Sequence, residues 1–423
     1  MSLKVTPTAD MAIAYVSLVV PDAPEFRNLA VHPVGIGYMQ SVLTGLKSDA
    51  RAEVESFSAE PIPSFPQGRR LLVLGRTLRL EKGLSTRTVT FVNLTPLKQI
   101  HIGLSMLGRL LGWGVRSRSK RRVVFSYNIS VPPLAFTLAA ALLTRSKLLA
   151  FIGDLNVPGE TIPNSFLGRL DAWCGRKLLR YIAGAVVVSD AIARDYLPGR
   201  SYIRVDGGAT RQMIEETGRL LEIRQRSEGR FTIVATGGLC DFNGFREVLA
   251  AFAHLEGSNY RLIVAGRGPL GAEVEAAVRK DWRIEFRGFL THAQVLALHA
   301  EADVLLSVRI TGKFNTSYAF PSKTFEYLLS GVPVITTATG HMRTEYGPYC
   351  FILEEQSAQA LAGLLRRVES LAPAERSRMG LAARQFIIDH KAWDVQHGRI
   401  AEFVRSTAMG KPMVDPTRPA VTP

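Results

Sequence analysis

The chain has 423 residues, too many for one ordinary hydrophobic core, and its 47% apolar content and mean hydropathy of +0.09 exclude an intrinsically disordered polypeptide. Cys174, Cys240 and Cys350 are too widely spaced for a disulfide framework or a zinc pattern, so a reducing compartment is the simpler reading. A net charge of +15 and a pI near 10.0 imply an anionic partner: nucleic acid, an anionic membrane or phosphate-bearing substrates. Residues 12–20 read as a first buried strand and not as a signal peptide, because Asp10 precedes them and Pro21-Asp22 follows without a small-residue cleavage site. Strands are expected at 71–74, 88–92, 123–125, 148–152 and 184–188 of a first domain. A second domain has strands at 231–235, 261–265, 284–286, 304–308, 332–336 and 350–353, with helical patterns between them. This alternation predicts an α/β protein of two Rossmann-like, doubly wound parallel-sheet domains. The expected boundaries are 1–208 for the first domain, 209–230 for a linker after the turn Asp206-Gly207-Gly208, 231–390 for the second domain, 391–406 for a last helix and 407–423 for a disordered tail.

Along the chain, His32-Pro33-Val34-Gly35-Ile36-Gly37 is a glycine-bearing turn with a helix expected from about Tyr38. Residues 97–113 read as an amphipathic helix. Leu97, Ile100, Leu104, Leu107 and Leu111 fall in one sector and Ile102, Met106, Leu110 and Trp113 in the next, while Lys98, His101, Ser105 and Arg109 share the polar side. Arg116, Arg118, Lys120, Arg121 and Arg122 follow, and no acid occurs from Leu97 to Arg122. A wide apolar face beside a basic cluster is the pattern of an interfacial helix on anionic lipid, and membrane contact is assigned to Leu107, Arg109, Leu111, Trp113 and the five cations that follow. The competing account is a buried helix followed by a solvated basic loop. No nucleic-acid recognition motif accompanies the basic run. No run reaches the roughly 18 apolar residues of a spanning helix; residues 134–143 come closest. The strand at 149–153 ends in Asp154, and strand carboxyl ends are where αβ sheets place ligand groups, although a helix cap would also account for it. Glu160 and His32 are weaker candidates. Ser189 or Asp190 is expected to cap a helix.

In the second domain, Thr236-Gly237-Gly238-Leu239-Cys240-Asp241-Phe242-Asn243-Gly244 joins a strand to a helix, and its glycines allow backbone N–H groups near a phosphate. Gly266 and Gly268 read as shaping a tight turn. At residues 318–335 a loop ends at Ser322, a good helix N-cap, a short helix carries Glu326 one turn in, and Gly331 and Pro333 stop it before a buried strand. Free N–H groups and Lys323 suit an anion, and Glu326 can accept hydrogen bonds from two sugar hydroxyls.

The run Pro321-Ser322-Lys323-x-x-Glu326-Tyr327, followed by Gly331-x-Pro333-Val334-Ile335, resembles the donor-site signature of the GT4-like group of retaining GT-B glycosyltransferases. Residues 235–245, 262–269 and 284–306 match further segments of that family in order. The resemblance implies two domains facing a cleft, a last helix opened by Trp393 that crosses back to the first domain, and a nucleotide diphosphate sugar as co-substrate with no cofactor and no metal. It implies that Glu326 holds the ribose, that Pro321, Ser322, Lys323, Gly237 and Gly238 hold the diphosphate with Asn243 and Arg309 nearby, and that the backbone at Thr291 meets the base. Gly35 and Gly37 match the glycine loop of the first domain, and Asp154 faces the acceptor or the donor sugar. Three positions depart from the family. Gly238 and Asn243 stand where an arginine and a lysine usually clamp the diphosphate, and Tyr318 replaces a glutamate eight positions before Glu326. Lys323 is the best substitute cation, with Arg309 and Lys313 weaker. The expected function is metal-independent, retaining sugar transfer to a lipid-linked or polysaccharide precursor by a cytoplasmic protein peripheral to the inner face of the membrane. The alternatives are a non-catalytic scaffold for membrane polysaccharide assembly and a sugar-nucleotide epimerase.

Overall fold

In a computed structural model of the chain, the described residues are 10–26, 33–127, 130–153, 155, 157–159, 162, 164–223, 229–312, 316–318, 320–321 and 323–411. The expected tail beyond 411 lies outside them. The chain divides into two compact units, one made of the residues up to Val205 together with those from Gln396 onward, the other of Asp206–Val395.

The first unit begins with β1 (Met11–Ser17), buried at every position, followed by α1 (Pro33–Asp49) and β2 (Glu53–Ser58). Next come β3 (Leu72–Val73), β4 (Thr77–Arg79), β5 (Ser85–Thr88), β6 (Phe91–Val92), α2 (Leu97–Arg116), β7 (Arg121–Tyr127), α3 (Pro133–Leu143), β8 (Lys147–Ile152), α4 (Phe166–Leu178), β9 (Gly184–Val187), α5 (Asp190–Tyr196) and β10 (Ser201–Arg204). The sheet order is β10-β9-β8-β7-β1-β2-β5-β4, parallel except for the β4–β5 pair. The apolar runs expected as sheet strands at 71–74 and 88–92 behave differently. Leu72–Val73 and Phe91–Val92 pair with each other in a separate antiparallel ribbon, and that side of the sheet is built by the polar strands β2 and β5 with β4 at its edge. Helix α1 starts at Pro33 and not near Tyr38, so Gly35 and Gly37 lie in its first two turns instead of in a preceding loop. Ser189 caps α5 by accepting from the Ala191 N–H. Residues 396–408 complete this unit: Ile400, Phe403 and Val404 are buried, and Arg405 donates to the Asp49 carbonyl.

The second unit opens with α6 (Arg211–Glu222), capped by Thr210. This segment was expected as linker; here it packs on the helices that follow the donor motifs, and Arg384 donates to the Ile214 carbonyl and the Thr217 hydroxyl. Then come β11 (Phe231–Gly238), α7 (Phe245–Ala253), β12 (Tyr260–Arg267), α8 (Gly271–Lys280), β13 (Ile284–Phe286), α9 (His292–Glu301), β14 (Val304–Ser307), α10 (Thr324–Leu329), β15 (Val334–Thr337), β16 (Phe351–Leu353), α11 (Ala358–Ser370), α12 (Pro373–Lys391) and α13 (Trp393–Ala408), which runs on into the first unit. The strands are all parallel in the order β13-β12-β11-β14-β15-β16. Numbered from β11 this is 3-2-1-4-5-6, the doubly wound Rossmann order, whose direction reverses between β11 and β14. Successive residues feed opposite cores, as the period of a strand requires. Ile233 and Ala235 pack with Phe245, Val248 and Phe252 of α7 and Leu361 of α11, while Val234 joins Phe325 and Leu328 of α10 and Ile387 of α12.

Candidate functional site

In open αβ sheets ligands bind outside the carboxyl ends of the strands where the winding reverses. Here that point is the end of β11, at Gly237-Gly238, beside the end of β14, which leads to Arg309. The backbone at Gly266 passes so close that a Cβ there would lie 1.8 Å from the Gly237 carbonyl oxygen, at φ +150, so its role is to shape the turn. Below the turn, the buried Tyr327 hydroxyl donates to the Thr236 carbonyl at 3.0 Å and lies 2.8 Å from the Thr236 hydroxyl. The Nε2 of buried His299 is 3.3 Å from that same hydroxyl. Burial pushes His299 down to about 4 and Tyr327 up to about 12, so both stay neutral and act as support.

Lys323 occupies the capping position of α10 without a side-chain cap, and its Nζ approaches the Thr236 carbonyl at 3.4 Å, over Gly237. Ser322, expected as the cap, lies outside the described residues, as do Asp154, Glu160, His32 and Lys313. Pro321 is buried. Arg309 is half-buried; its guanidinium lies 4.9 Å from the Phe242 ring centre and its N–H donates to Thr337. Burial pushes the Lys323 ammonium down, with Glu326 opposing and Arg309 adding to the depression; burial likewise lowers Arg309. Neither cation has an ion pair among the described residues. Asn243, in the place of the family's lysine, donates to the Gly238 carbonyl at 2.8 Å and closes the turn. Arg246, the next cation along, is consumed by Asp241 and Glu273. Glu326 lies in the first turn of α10 with its Oε1 3.4 Å from His292 Nε2, and this contact raises His292. Thr291 is committed to a capping box: its N–H and hydroxyl both bond to the Gln294 side chain at 2.9 Å, and its carbonyl accepts from Val295. The exposed group in that turn is Phe289, with the Arg267 guanidinium 4.5 Å from its ring centre. Arg267, Phe289 and His292 lie inside the matched segments 262–269 and 284–306, but the sequence analysis gave them no role.

Residues 230–369 match the family model described as Glycosyl transferases group 1. The chain is similar there to a group 1 glycosyltransferase domain. Its two parallel-sheet units have the GT-B fold of glycosyltransferases. Sucrose-phosphate synthase from Thermosynechococcus elongatus superposes with a TM-score of 0.63 at 15% identity, over 95% of this chain and 100% of that one. HepE from Anabaena in complex with UDP and glucose gives 0.59 at 14%, over 94% and 100%. The catalytic domain of starch synthase IV from Arabidopsis thaliana, bound to ADP and acarbose, gives 0.57 at 10%, over 94% and 99%. The sequence matches no curated protein significantly.

In this glycosyltransferase the set Asp206, His341 and Glu345 is the one group of histidines and carboxylates with metal-like spacing among the described residues. The Lys391 ammonium already lies 3.0 Å from Asp206 and 2.7 Å from Glu345, so the cation of this cluster is a side chain. On α2 the structure divides the two apolar sectors. Ile102, Met106, Leu110 and Trp113 are buried, Trp113 being 1% exposed, which removes Trp113 from any lipid surface. Gly103 meets the Phe136 ring so closely that a Cβ would lie 2.2 Å from it, so this glycine sets the approach of α3. Leu107 and Leu111 are half-buried, while Leu97, Ile100 and Leu104 are exposed. Of the cations, Arg116 pairs with Glu55 at 3.0 Å, Lys120 pairs with Glu53 and Arg122 donates to the Gly114 carbonyl, leaving Arg109, Arg118 and Arg121 facing water. No helix of the described residues is long and apolar enough to cross a membrane.

Proposed function

We propose that the protein transfers a sugar from a nucleotide diphosphate sugar to an oxygen acceptor, without a metal and with retention at the anomeric carbon. One observation carries this reading: Lys323 and Arg309 are half-buried cations at the winding reversal, beside the Gly237 turn, with no carboxylate among the described residues paired to either. A diphosphate supplies the missing counter-charge through charge-assisted hydrogen bonds. Glu326, on the same short helix, accepts from the ribose hydroxyls. The bond between the anomeric carbon and the diphosphate oxygen breaks, its electron pair leaving with the diphosphate, and the acceptor oxygen bonds to that carbon as it loses its proton. The two cations stabilise the charge growing on the leaving group. Asp154, which follows β8 in the chain, is the proposed acceptor-facing carboxylate. HepE and starch synthase IV, similar in fold, are described with UDP and with ADP respectively, which supports a nucleotide donor. The net charge of +15 supports an acceptor that is lipid-linked or a polysaccharide precursor, met at an anionic membrane surface.

The test is a panel of uridine, guanosine and adenosine diphosphate sugars. Binding is read by thermal shift and transfer by nucleotide release with lipid-linked and saccharide acceptors, with and without a chelator. Binding of no donor, or an unchanged donor affinity in Glu326→Ala, sinks the assignment. A second reading, a donor-binding scaffold, is favoured by Tyr318, Gly238 and Asn243 at the positions of expected charged groups; donor binding with no turnover on any acceptor would establish it.

A further inference from the structure

Helix α4 is built inside out. Ser165 caps it by accepting from the Gly168 N–H at 3.1 Å, and the side turned to the protein carries mostly small residues, half-buried Gly168, Ala172 and Cys174 and fully buried Gly175, with half-buried Asp171 and Leu178. Its large apolar residues face water: Phe166 is 73% exposed, Leu167 70%, Leu170 43% and Trp173 59%. At 100° per residue Phe166, Leu170 and Trp173 fall within one narrow sector. Burying them would gain about 1.5–3 kcal/mol each in a core, so leaving several on one exposed face marks a surface with a partner.

The cations around this face identify the partner. Arg169, Arg176, Lys177 and Arg180 are all exposed, against the single acid Asp171 between Phe166 and Arg180. None of the four has an ion pair among the described residues. The Lys177 ammonium lies over the Trp173 ring, 5.6 Å from its centre and one turn along the same sector, so charge and apolar face meet there. In α2 the two signals are separated around the axis: at 100° per residue the water-facing Arg109 lies on the side opposite Ile100. In α4 Arg169 lies between Phe166 and Leu170, and Lys177 one turn beyond Trp173. The geometry points to α4 as the surface by which this protein lies on an anionic lipid bilayer, with Phe166, Leu170 and Trp173 entering the acyl boundary and Arg169, Lys177 and Arg180 meeting lipid phosphates. The site rests on the membrane contact proposed above and moves it from α2 to α4, which follows the loop leaving the carboxyl end of β8.

The experiment is co-sedimentation of the full chain with vesicles of phosphatidylglycerol and phosphatidylcholine, against phosphatidylcholine alone. The same preparations are followed by tryptophan emission, donor thermal shift and sedimentation velocity. The wild type should bind the anionic vesicles, more weakly as salt rises, with a blue shift that Trp173→Phe removes. Neutralising Arg169, Lys177 and Arg180 to glutamine should weaken vesicle binding by about fivefold per charge, and Phe166→Ser with Leu170→Ser should abolish it, while the donor thermal shift stays unchanged. Wild-type binding by the serine variant overturns the assignment to α4 and leaves membrane contact standing. No vesicle binding by the wild type overturns both. A wild-type dimer that the serine variant converts to monomer, without lipid binding, makes the face a self-association surface and also overturns the proposal. The donor shift reports on the glycosyltransferase reading independently of every one of these outcomes.

Discussion

Arg309 adds to the cost, set first by burial, of charging the half-buried Lys323. Removing one in the absence of ligand therefore relieves strain, while removing it in the presence of a diphosphate loses charge-assisted hydrogen bonds of about 1.5–3 kcal/mol. Lys323→Ala should accordingly bind nucleoside diphosphates roughly 10- to 100-fold more weakly, with nucleoside affinity nearly unchanged, by calorimetry; equal losses for both ligands would count against the role. His292 adds a pH dependence. Its bond to Glu326 raises it above the ordinary 6.5, so at lower pH the imidazolium holds the carboxylate that the ribose needs, and at higher pH it lets go. Donor affinity should therefore rise as pH increases through the raised His292 value, and His292→Ala should flatten the profile. The pair's contribution to fold stability has the opposite sign: it is fully present below 6.5 and lost as pH rises through the raised value. Cys240 is half-buried in the turn that follows Gly238, whereas Cys350 is buried and burial pushes its thiol up to about 12. Alkylation should reach Cys240 and spare Cys350, and bound donor should slow it at Cys240, as peptide mapping would show.

Buried charge ties together the elements at the two ends of the second unit. Asp206 precedes α6 and Lys391 closes α12, and a backbone bridge joins Ala209 to Ala392 between them. Burial opposes the ionisation of Asp206; Lys391, His341 and Tyr346 overcome it and hold the carboxyl well below its ordinary 3.8. Its stabilisation is thus present above 3.8 and lost as pH falls through the depressed value, and Asp206→Asn, which leaves the Lys391 ammonium only its pair with Glu345, should cost about 1.5–3 kcal/mol in urea unfolding at neutral pH. The His341 ring in this cluster stacks on Phe320 at 5.1 Å, so the same substitution should disturb the loop that carries Lys323. In the first unit Trp113→Ala should cost about 3–5 kcal/mol while leaving vesicle binding of the folded protein intact, because that ring faces the core. The six strands of the second unit were legible in the sequence because parallel strands covered on both faces read as continuous apolar runs. The first unit was less so. Its strands β2 and β5, next to the edge strand β4, carry the polar sequences Glu53–Ser58 and Ser85–Thr88, and the apolar runs between and after them in the chain form the small β3–β6 ribbon. Helix α4 escaped notice for a related reason. Its inward positions are mostly small, such as Gly168, Ala172 and Gly175, so most of its large apolar residues point away from the core it belongs to. At the site, the spacing of Lys323 and Glu326 was readable, but the joining of Arg309 to them, the Thr291 cap and the His292 contact depend on where strands end, which no local pattern encodes.

The division of the chain implies unequal independence for its two units. Residues 206–395 are continuous, hold the Rossmann-ordered sheet and the charged groups of the donor site, and have their ends joined by the Ala209–Ala392 bridge and the Asp206–Lys391 pair. Residues 10–205 are not complete without 396–408. That segment supplies Ile400, Phe403 and Val404, all buried, and Arg399, which donates to the Arg204 carbonyl at 3.1 Å. The three side chains alone represent about 5–9 kcal/mol of burial at roughly 1.5–3 kcal/mol each, a sum comparable to the whole stability of a typical domain. The 206–395 fragment should therefore unfold cooperatively and be stabilised by a nucleoside diphosphate, by about 2.7 kcal/mol at a hundredfold excess over Kd. The 1–205 fragment should lack a cooperative transition until residues 392–411 are fused to it through a flexible linker. Calorimetry of the three polypeptides decides the matter. A cooperative 1–205 fragment would mean that the last helix is an accessory to the first unit, and a molten 206–395 fragment would mean that the donor site cannot be held by its own sheet.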